Sequence, residues 1–292
     1  MSELHESSQI LDGKAVSAKV LGRIAETIKG MPKPPCLAVV IVGDDPASHV
    51  YIKHKKKTCA RVGIRSVEHA LPADIGQEKL LSLIKSLNED NGVHGILCQM
   101  PLPRGYGYDE QELCRMISPE KDVDVFHPEN VGKLSLGAPV FLPCTPGGVL
   151  ELLDDAGIAL KGKHLVVVGR SNIVGKPMAM LALQRSATVT MCHRYTQNLA
   201  EYTRQADILV VAVGKRDLIT ADMVKEGAVV VDVGINRIEG TRKVRGDVDF
   251  GAVAHKASWI TPVPGGVGPM TIAMLMQNTL TACINLNDQA SG

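Results

Sequence analysis

The chain carries almost no net charge and has no apolar run long enough to cross a bilayer. Its 32 lysines and arginines oppose 31 aspartates and glutamates, which leaves a formal charge of +1. A balanced charge gives no electrostatic reason to expect nucleic acid or a membrane as a partner. Residues 1–6 contain neither the basic segment nor the apolar stretch of a secretory leader, so we expect a cytoplasmic protein.

The seven cysteines are odd in number, widely spaced and never arranged as Cys-x-x-Cys. This pattern is typical of free thiols in a reducing compartment and argues against a disulfide framework or a zinc site. Since no cluster of histidines and cysteines accompanies the acidic residues, we predict no metal ion.

Apolar strands and amphipathic helices alternate regularly along the 292 residues. This rhythm predicts an α/β fold with parallel sheets, and the length fits two lobes that each bury a core. We place the first lobe at residues 1–147 and the second at 148–270, divided by a turn-rich, proline-rich connection over 118–148. The predicted strands are 37–42, 93–98, 165–168, 188–191, 208–212 and 228–233, and the predicted helices are 47–62, 80–87, 177–184 and 271–285.

Gln99 directly follows the apolar strand 93–98, and Pro101 and Pro103 then stop further ladder pairing. Open α/β sheets bind ligands at the carboxyl ends of their strands, so we expect Gln99 to face a ligand. The alternative is a rigid exit turn. Tyr51 and Lys55 lie one turn apart on the predicted helix 47–62 and share a face. A partly desolvated lysine beside an amide can exchange protons, and a tyrosine ring can stack on an aromatic ligand. A solvated basic face is the alternative here.

The segment Lys121-Asp122-Val123-Asp124 places two aspartates in the connection between the lobes. Paired loop aspartates can ligate a metal, accept hydrogen bonds from a bound ligand, or simply face solvent. Because no histidine or cysteine cluster supports a metal, we favour a carboxylate of this pair that accepts from N–H donors of a ligand.

The predicted strand 165–168 runs into a glycine turn, Gly169-Arg170-Ser171, and a helix that begins near Gly175. Gly169 lets the turn bend, Gly175 allows close packing, and exposed amides at the helix start favour a pyrophosphate. An NAD site would carry an acid at the end of the next strand, but here His193-Arg194 stands there. Two arginines, Arg170 and Arg194, can clamp a 2′-phosphate, so we predict NADP as the cofactor. A glycine turn without a ligand, and a solvated Arg194, are the alternatives.

Five ordered motifs resemble one family over nearly the whole chain: the bifunctional methylenetetrahydrofolate dehydrogenase/methenyltetrahydrofolate cyclohydrolases. They are Tyr51-x-x-x-Lys55, Gln99-x-Pro-Leu-Pro, Lys121-Asp122-Val123-Asp124, Gly169-Arg-Ser-x-x-x-Gly-x-Pro177 and Pro262-Val-Pro-Gly-Gly-Val-Gly-Pro-Met-Thr271. The resemblance implies two α/β lobes with a cleft between them, the second a Rossmann-type NADP-binding lobe. It also implies that the last helix, 271–292, packs back on a folate-binding first lobe, and that two copies form a homodimer.

The same resemblance implies the chemistry and the residue roles. NADP+ takes a hydride from 5,10-methylenetetrahydrofolate, and water then opens the methenyl product to 10-formyltetrahydrofolate. Lys55 is implied as general acid/base, Gln99 as its positioning partner, Tyr51 as a stacking platform and Asp122 as the pterin-binding acid. Further implied folate contacts are Pro264, Gly265 and Gly266, and the implied NADP contacts are Gly169, Arg170, Ser171, Gly175, Arg194, Ile235 and Thr145.

Val125 departs from the family pattern, which usually has glycine at this position. If that glycine needs a positive φ, a valine alters the loop that holds Asp122. One alternative function is a dehydrogenase without cyclohydrolase activity, which the retention of Lys55, Gln99 and Asp122 disfavours. A non-catalytic NADP-binding regulator and a shikimate-type dehydrogenase are two more, and the intact motifs of the first lobe disfavour both.

Overall fold

The structure is a computed structural model that describes residues 8–241 and 243–291, without the side chains of 46–51 and 289–291. The segment in which we expected no leader therefore lies outside the described residues. The strands are β1 (Gln9–Ile10), β2 (Cys36–Val42), β3 (Arg65–Leu71), β4 (Gly95–Cys98), β5 (His164–Val168), β6 (Thr188–Cys192), β7 (Ile208–Val211), β8 (Val229–Asp232), β9 (Asn236–Arg237), β10 (Val244–Arg245) and β11 (Trp259–Ile260). The helices are α1 (Gly13–Lys29), α2 (Pro46–Val62), α3 (Gln77–Glu89), α4 (Glu110–Met116), α5 (Pro128–Ser135), α6 (Cys144–Asp155), α7 (Gly175–Gln184), α8 (Leu199–Thr203), α9 (Phe250–Val253) and α10 (Val267–Ser291).

The chain divides into two compact units whose segments alternate along the sequence. The six-stranded unit comprises residues 8–18 and 145–271, and the three-stranded unit comprises 19–144 and 272–291. The observed division falls between residues 144 and 145, close to the predicted one between 147 and 148. The first residues are assigned differently from our prediction, because β1 pairs with β11 and so belongs to the second unit.

In the three-stranded unit, β2 lies between β3 and β4, and all three strands are parallel. All seven residues of β2 are buried, as expected for the central strand of a parallel sheet. Leu80, Ile84 and Leu87 of α3 pack against β2 and β4 in one core cluster. We did not predict the edge strand β3, because its sequence Arg-Ser-Val-Glu-His-Ala-Leu lacks a continuous apolar run.

In the six-stranded unit, the strand order is β1-β11-β8-β7-β5-β6, and every pairing is parallel. The predicted Rossmann-type sheet is confirmed, and β5 to β8 lie within a residue or so of their predicted bounds. The chain leaves β5 first toward β6 and then returns to β7 on the other side. This reversal makes the carboxyl end of β5 the point at which such sheets bind ligands.

Our prediction of a turn-rich connection over 118–148 is wrong in two places. Helix α5 begins at Pro128, with His127 Nδ1 as the cap that accepts from Glu129 N at 3.1 Å. Helix α6 begins at Cys144, so Pro146 lies in its first turn. Proline is tolerated in the first turn of a helix, since the N–H that it lacks would have no intrahelical partner there.

The last helix, α10, begins at Val267, four residues before the predicted start. Its residues from 272 onward belong to the three-stranded unit, the unit on which the resemblance places this helix. Asn278 fixes it there by donating to the carbonyl oxygens of Val123 and Leu142, both at 2.8 Å. None of the described helices is both long enough and apolar enough to span a membrane.

Candidate active site and nucleotide site

Lys55 and Gln99 meet at the carboxyl end of β4. The Lys55 Nζ donates to Gln99 Oε1 at 3.0 Å. The other end of the amide is also fixed, because Gln99 Nε2 donates to the carbonyl oxygen of Met100 at 2.9 Å. The Gln99 backbone N–H continues the ladder to Val40 O at 2.9 Å. Both side chains are half-buried, so the sheet presents a lysine of fixed position with part of its surface still accessible.

Tyr51 precedes Lys55 by one turn of α2, but its side chain lies outside the described residues. Its role as a stacking platform stays a prediction.

Asp122 does not have a free carboxylate, which corrects our assignment of this residue to the ligand. Its Oδ1 accepts from Phe126 N at 3.2 Å, and its Oδ2 accepts from His127 N and Asn130 Nδ2, both at 2.9 Å. The residue is only 2% exposed. Burial raises the pKa of its carboxyl, and these three donors oppose the rise. Asp122 therefore holds together the loop that leads into α5.

Asp124 is the acid of this loop whose carboxyl is influenced by the charge of Lys55. Burial raises the pKa of its carboxyl, and the positive charge of Lys55 works in the opposite direction. Its Oδ1 accepts from the Cys144 Sγ at 3.6 Å. Sequence reasoning missed Asp124, because nothing in Asp-x-Asp distinguishes the two carboxylates. The folded loop places Asn130 and the backbone N–H groups after Val125 around Asp122, and only this placement shows that Asp122 is the carboxylate that binds the loop.

Val125 adopts a left-handed backbone conformation with a φ of 66°. The loop therefore keeps the bend that a glycine would take easily, and the valine side chain is 2% exposed. A β-branched residue with positive φ is strained. The departure that we noted in the sequence thus costs conformational energy without opening the loop.

Lys121 anchors the start of the same loop from a buried position. Its Nζ donates to the carbonyl oxygens of Leu87, Asn88 and Asp90 at 3.1, 2.8 and 2.8 Å. These carbonyls end helix α3, where a positive charge is favourable. The anchor connects the acidic loop to the core cluster beneath it.

The six-stranded unit shows why the turn after β5 needs two glycines. Gly169 has a φ of 134°, and a Cβ there would lie 2.3 Å from the carbonyl oxygen of Ala212. A Cβ on Gly175 would lie 2.2 Å from the carbonyl oxygen of Gly169. The bend and the close packing that we expected at these positions are both confirmed.

The first amides of α7 are not free, which differs from our expectation. Ser171 Oγ accepts from Val174 N at 3.1 Å and from Gly175 N at 3.3 Å. Lys176 N donates to the carbonyl oxygen of Ser171 at 3.1 Å, and Pro177 has no N–H. The turn itself satisfies the helix start, so an anion at this place would have to bind the turn and its side chains.

Arg170 and Arg194 converge, as predicted, although they follow different strands. Each guanidinium lies over the ring of Tyr195, with its Cζ at 5.4 Å for Arg170 and 4.6 Å for Arg194 from the ring centroid. Both arginines and the tyrosine are exposed. The carboxyl ends of the paired strands β5 and β6 thus present two cations together.

Ile235 is 47% exposed in a loop that two buried aspartates organise. Asp232 accepts from Gly234 N, Asp247 N and Val248 N, all at 2.9 Å. Asp247 in turn accepts from Val213 N at 2.7 Å and Gly214 N at 2.9 Å. Burial raises the pKa of Asp232 to about 6. The sequence contains no signal for this network, since its partners are the Asn236 side-chain amide and backbone amides from three separate loops.

The remaining predicted contacts also lie in the six-stranded unit. Thr145 Oγ1 is 3.0 Å from Thr271 Oγ1. Gly265 has a φ of 115°, and a Cβ on Gly13 would clash with the carbonyl oxygen of Gly266. The close backbone approach at Pro264-Gly265-Gly266 is thus made by α1 of the chain itself.

Two family models cover most of the sequence. Residues 11–124 match the catalytic domain of tetrahydrofolate dehydrogenase/cyclohydrolase, and residues 143–287 match its NAD(P)-binding domain. The chain is 57% identical over 278 residues to the bifunctional protein FolD of Moorella thermoacetica, which covers 94% of this chain and 98% of that protein.

Solved structures agree with this match. A bifunctional methylenetetrahydrofolate dehydrogenase/cyclohydrolase from Campylobacter jejuni superposes with a TM-score of 0.93 at 52% identity, covering 96% of this chain and 99% of that one. The enzyme from Trypanosoma brucei, solved with NADP cofactor and inhibitor, superposes with a TM-score of 0.92 at 36% identity, covering 98% and 100%. With both units matched at these identities, the chain belongs to the tetrahydrofolate dehydrogenase/cyclohydrolase family.

Proposed function

We propose that Lys55, held by Gln99 and subject to the charge of Asp124, carries the proton transfers of the hydrolytic step. The enzyme oxidises 5,10-methylenetetrahydrofolate to 5,10-methenyltetrahydrofolate with NADP+ and then hydrolyses that product to 10-formyltetrahydrofolate. The 3.0 Å bond between Lys55 Nζ and Gln99 Oε1 is the observation that carries the assignment. It fixes a lysine whose positive charge also acts on the Asp124 carboxyl.

The hydrolysis needs a group that both accepts and returns a proton. Water forms a bond to the methenyl carbon and loses one proton. The resulting hydroxyl then loses the second proton and becomes the formyl oxygen, as the bond from that carbon to one ring nitrogen breaks and that nitrogen gains a proton. Two protons leave the water and one returns to the nitrogen, so one proton is released overall. Lys55 in its amine form accepts from the water and as an ammonium donates to the leaving nitrogen. Gln99 Oε1 holds the ammonium, and the Asp124 carboxylate stabilises its charge.

The second unit fits a 2′-phosphorylated dinucleotide. Gly169 and Gly175 leave no room for a side chain in the turn, and Arg170 and Arg194 present two cations where an NAD site would carry an acid. When bound, NADP+ supplies the hydride acceptor. Ser171, Ile235 and Thr145 remain proposed contacts of this nucleotide.

For the folate, we now propose Asp124 in place of Asp122 as the acid that binds the pterin. Tyr51 remains the proposed stacking platform, and Pro264, Gly265 and Gly266 remain proposed folate contacts. We also propose a cytoplasmic homodimer. Light scattering coupled to size-exclusion chromatography would then give the mass of two 31.2 kDa chains.

Lys55→Met tests the proposed base, with Lys56→Met as a matched control. Lys56 is the exposed neighbour and contacts only Glu68, at 3.4 Å, among the described ion pairs. We expect Lys55→Met to lower methenyltetrahydrofolate hydrolysis, followed by absorbance without nucleotide, by roughly a hundredfold or more, and Lys56→Met to leave it unchanged. Near wild-type hydrolysis by Lys55→Met would remove Lys55 from the mechanism.

A further inference from the structure

Tyr195 is an exposed aromatic ring on which two cations converge. It is 63% exposed, and the guanidiniums of Arg170 and Arg194 both lie over its ring. Arg194 Nη2 also donates to Tyr195 Oη at 2.6 Å. An exposed tyrosine without a core to pack in needs another reason for its position.

The turn after β6 fixes the direction of the Tyr195 ring. Tyr195 N donates to His193 Nδ1 at 3.2 Å, and the two rings meet edge to face with centroids 6.0 Å apart. Thr196 closes the turn, since its N donates to His193 O at 2.8 Å and its Oγ1 accepts from His193 N at 2.9 Å. The backbone at Tyr195 is therefore fixed by the turn, and the His193 ring contacts the tyrosine ring in addition to the two arginines.

Two guanidiniums at one ring repel each other, and no ion pair relieves them. Within the described ranges, neither Arg170 nor Arg194 forms a salt bridge with a carboxylate, whereas Arg185 and Arg204 on the same unit do. A ring face and a phenol oxygen attract cations only weakly when exposed. A phosphate has several acceptor oxygens and can bind both guanidiniums at once.

We propose that Tyr195 is a specificity-determining residue, which positions Arg170 and Arg194 as one clamp for the ribose 2′-phosphate of the nucleotide. The inference rests on the proposed NADP site. Arg194 follows β6, where NAD-binding relatives of this fold place the acid that reads the ribose. Long exposed arginines lose side-chain entropy when they bind an anion, and a ring that holds both in advance reduces that loss.

Two substitutions separate the contributions of the ring and of its hydroxyl. Tyr195→Leu removes both cation–π contacts, and we expect kcat/KM for NADP+ to fall about tenfold, the loss typical of two such contacts, with less than a twofold change for NAD+. Tyr195→Phe keeps the ring and removes only the acceptor for Arg194, so we expect a loss of about threefold. Tyr202→Leu, at an exposed tyrosine of α8, is the matched control and should change neither value.

Calorimetry with 2′-AMP and 5′-AMP gives a readout that a general structural defect would not produce. We expect Tyr195→Leu to weaken the binding of 2′-AMP but not that of 5′-AMP, and to leave the urea midpoint of unfolding unchanged. Equal losses for both nucleotides, or an unchanged NADP+ to NAD+ ratio, would overturn the proposal. The double variant Arg170→Gln/Arg194→Gln distinguishes a failure of the proposed NADP site from a failure of the role proposed for Tyr195. If it also keeps the NADP+ preference, the proposed site is wrong; if it loses that preference while Tyr195→Leu keeps it, only the role of Tyr195 fails.

Discussion

At the scale of single residues, Asp122 and Asp124 are two positions apart but meet different partners. Asp122 accepts three hydrogen bonds from its own loop, while the charge of Lys55 acts on Asp124. We expect Asp122→Asn to lower the free energy of unfolding by about 1–3 kcal/mol, because its amide N–H₂ cannot accept from a backbone N–H. Asp124→Asn should keep that stability and lose methenyltetrahydrofolate hydrolysis. Urea unfolding and the hydrolysis assay measure both quantities; a stable Asp122→Asn that no longer binds folate would contradict the assignment.

Val125 provides a second test at the same scale, because its left-handed φ of 66° reverses the usual order of glycine and alanine. Both substitutions remove buried methyl groups, but only glycine also relieves the strain. We therefore expect Val125→Gly to be more stable than Val125→Ala by about 1 kcal/mol in urea unfolding.

Val123 is the matched control in the same loop, since it is fully buried and is not among the residues of positive φ. There we expect the ordinary order, in which alanine is the more stable substitution. The same order at both positions would show that Val125 is not strained.

At the scale of elements, His94 joins the starts of β2 and β4. Its N–H donates to Cys36 O at 2.9 Å, and its Nδ1 accepts from Cys36 N at 3.0 Å. Burial lowers the pKa of His94, and the positive charges of Lys121 and Arg65 add to the effect. The folded protein therefore favours the neutral form of this imidazole. Its contribution to stability is complete above the ordinary pKa of 6.5 and is lost as the pH falls through the lower pKa of the folded protein.

His94→Asn should make the free energy of unfolding less sensitive to pH between 7 and 5, because the asparagine Oδ1 can still accept and does not titrate there. Urea unfolding at several pH values measures the slope. His54→Asn, at an exposed position of α2, should leave the wild-type slope unchanged. An unaltered slope in His94→Asn would show that the imidazole does not titrate differently on folding.

Strands buried on both faces were the ones that sequence reasoning located most directly. β2, β4, β5, β7 and β8 are short apolar runs, which is what a parallel strand between two layers requires. β6 was also predicted, although it is an edge strand with mixed exposure. β3 lies at an edge with mixed exposure, and α5 and α6 carry in their first turns prolines that we took for signs of a loop. The residues of the candidate site were likewise predictable only in part. Lys55 and Gln99 follow from helix spacing and a strand end, whereas the choice between Asp122 and Asp124 depends on amides that only the folded loop brings together.

At the scale of the whole molecule, the seven cysteines are free, and six of them are buried; Cys114 alone is half-buried. Burial raises the pKa of Cys59 and of Cys114 to about 11. Because the thiolate is the reactive form, we expect at most about one thiol to react with Ellman's reagent at pH 8 in the folded protein, and all seven in denaturant. Cys114→Ser should remove the reactive one. Rapid labelling of several thiols in the folded protein would contradict this burial.

The alternation of the two units along the chain sets the order in which a ribosome can complete them. Gln9 leaves the ribosome long before its strand partner, Trp259. The three-stranded unit likewise waits for Asn278, which bonds to Val123 and Leu142. At elongation speeds of about 5–20 residues per second, the unfinished chain exposes apolar surface for roughly a quarter of a minute to a minute. Neither unit can therefore be cut out of the gene as one uninterrupted piece, and a nascent chain that stalls before α10 leaves both incomplete.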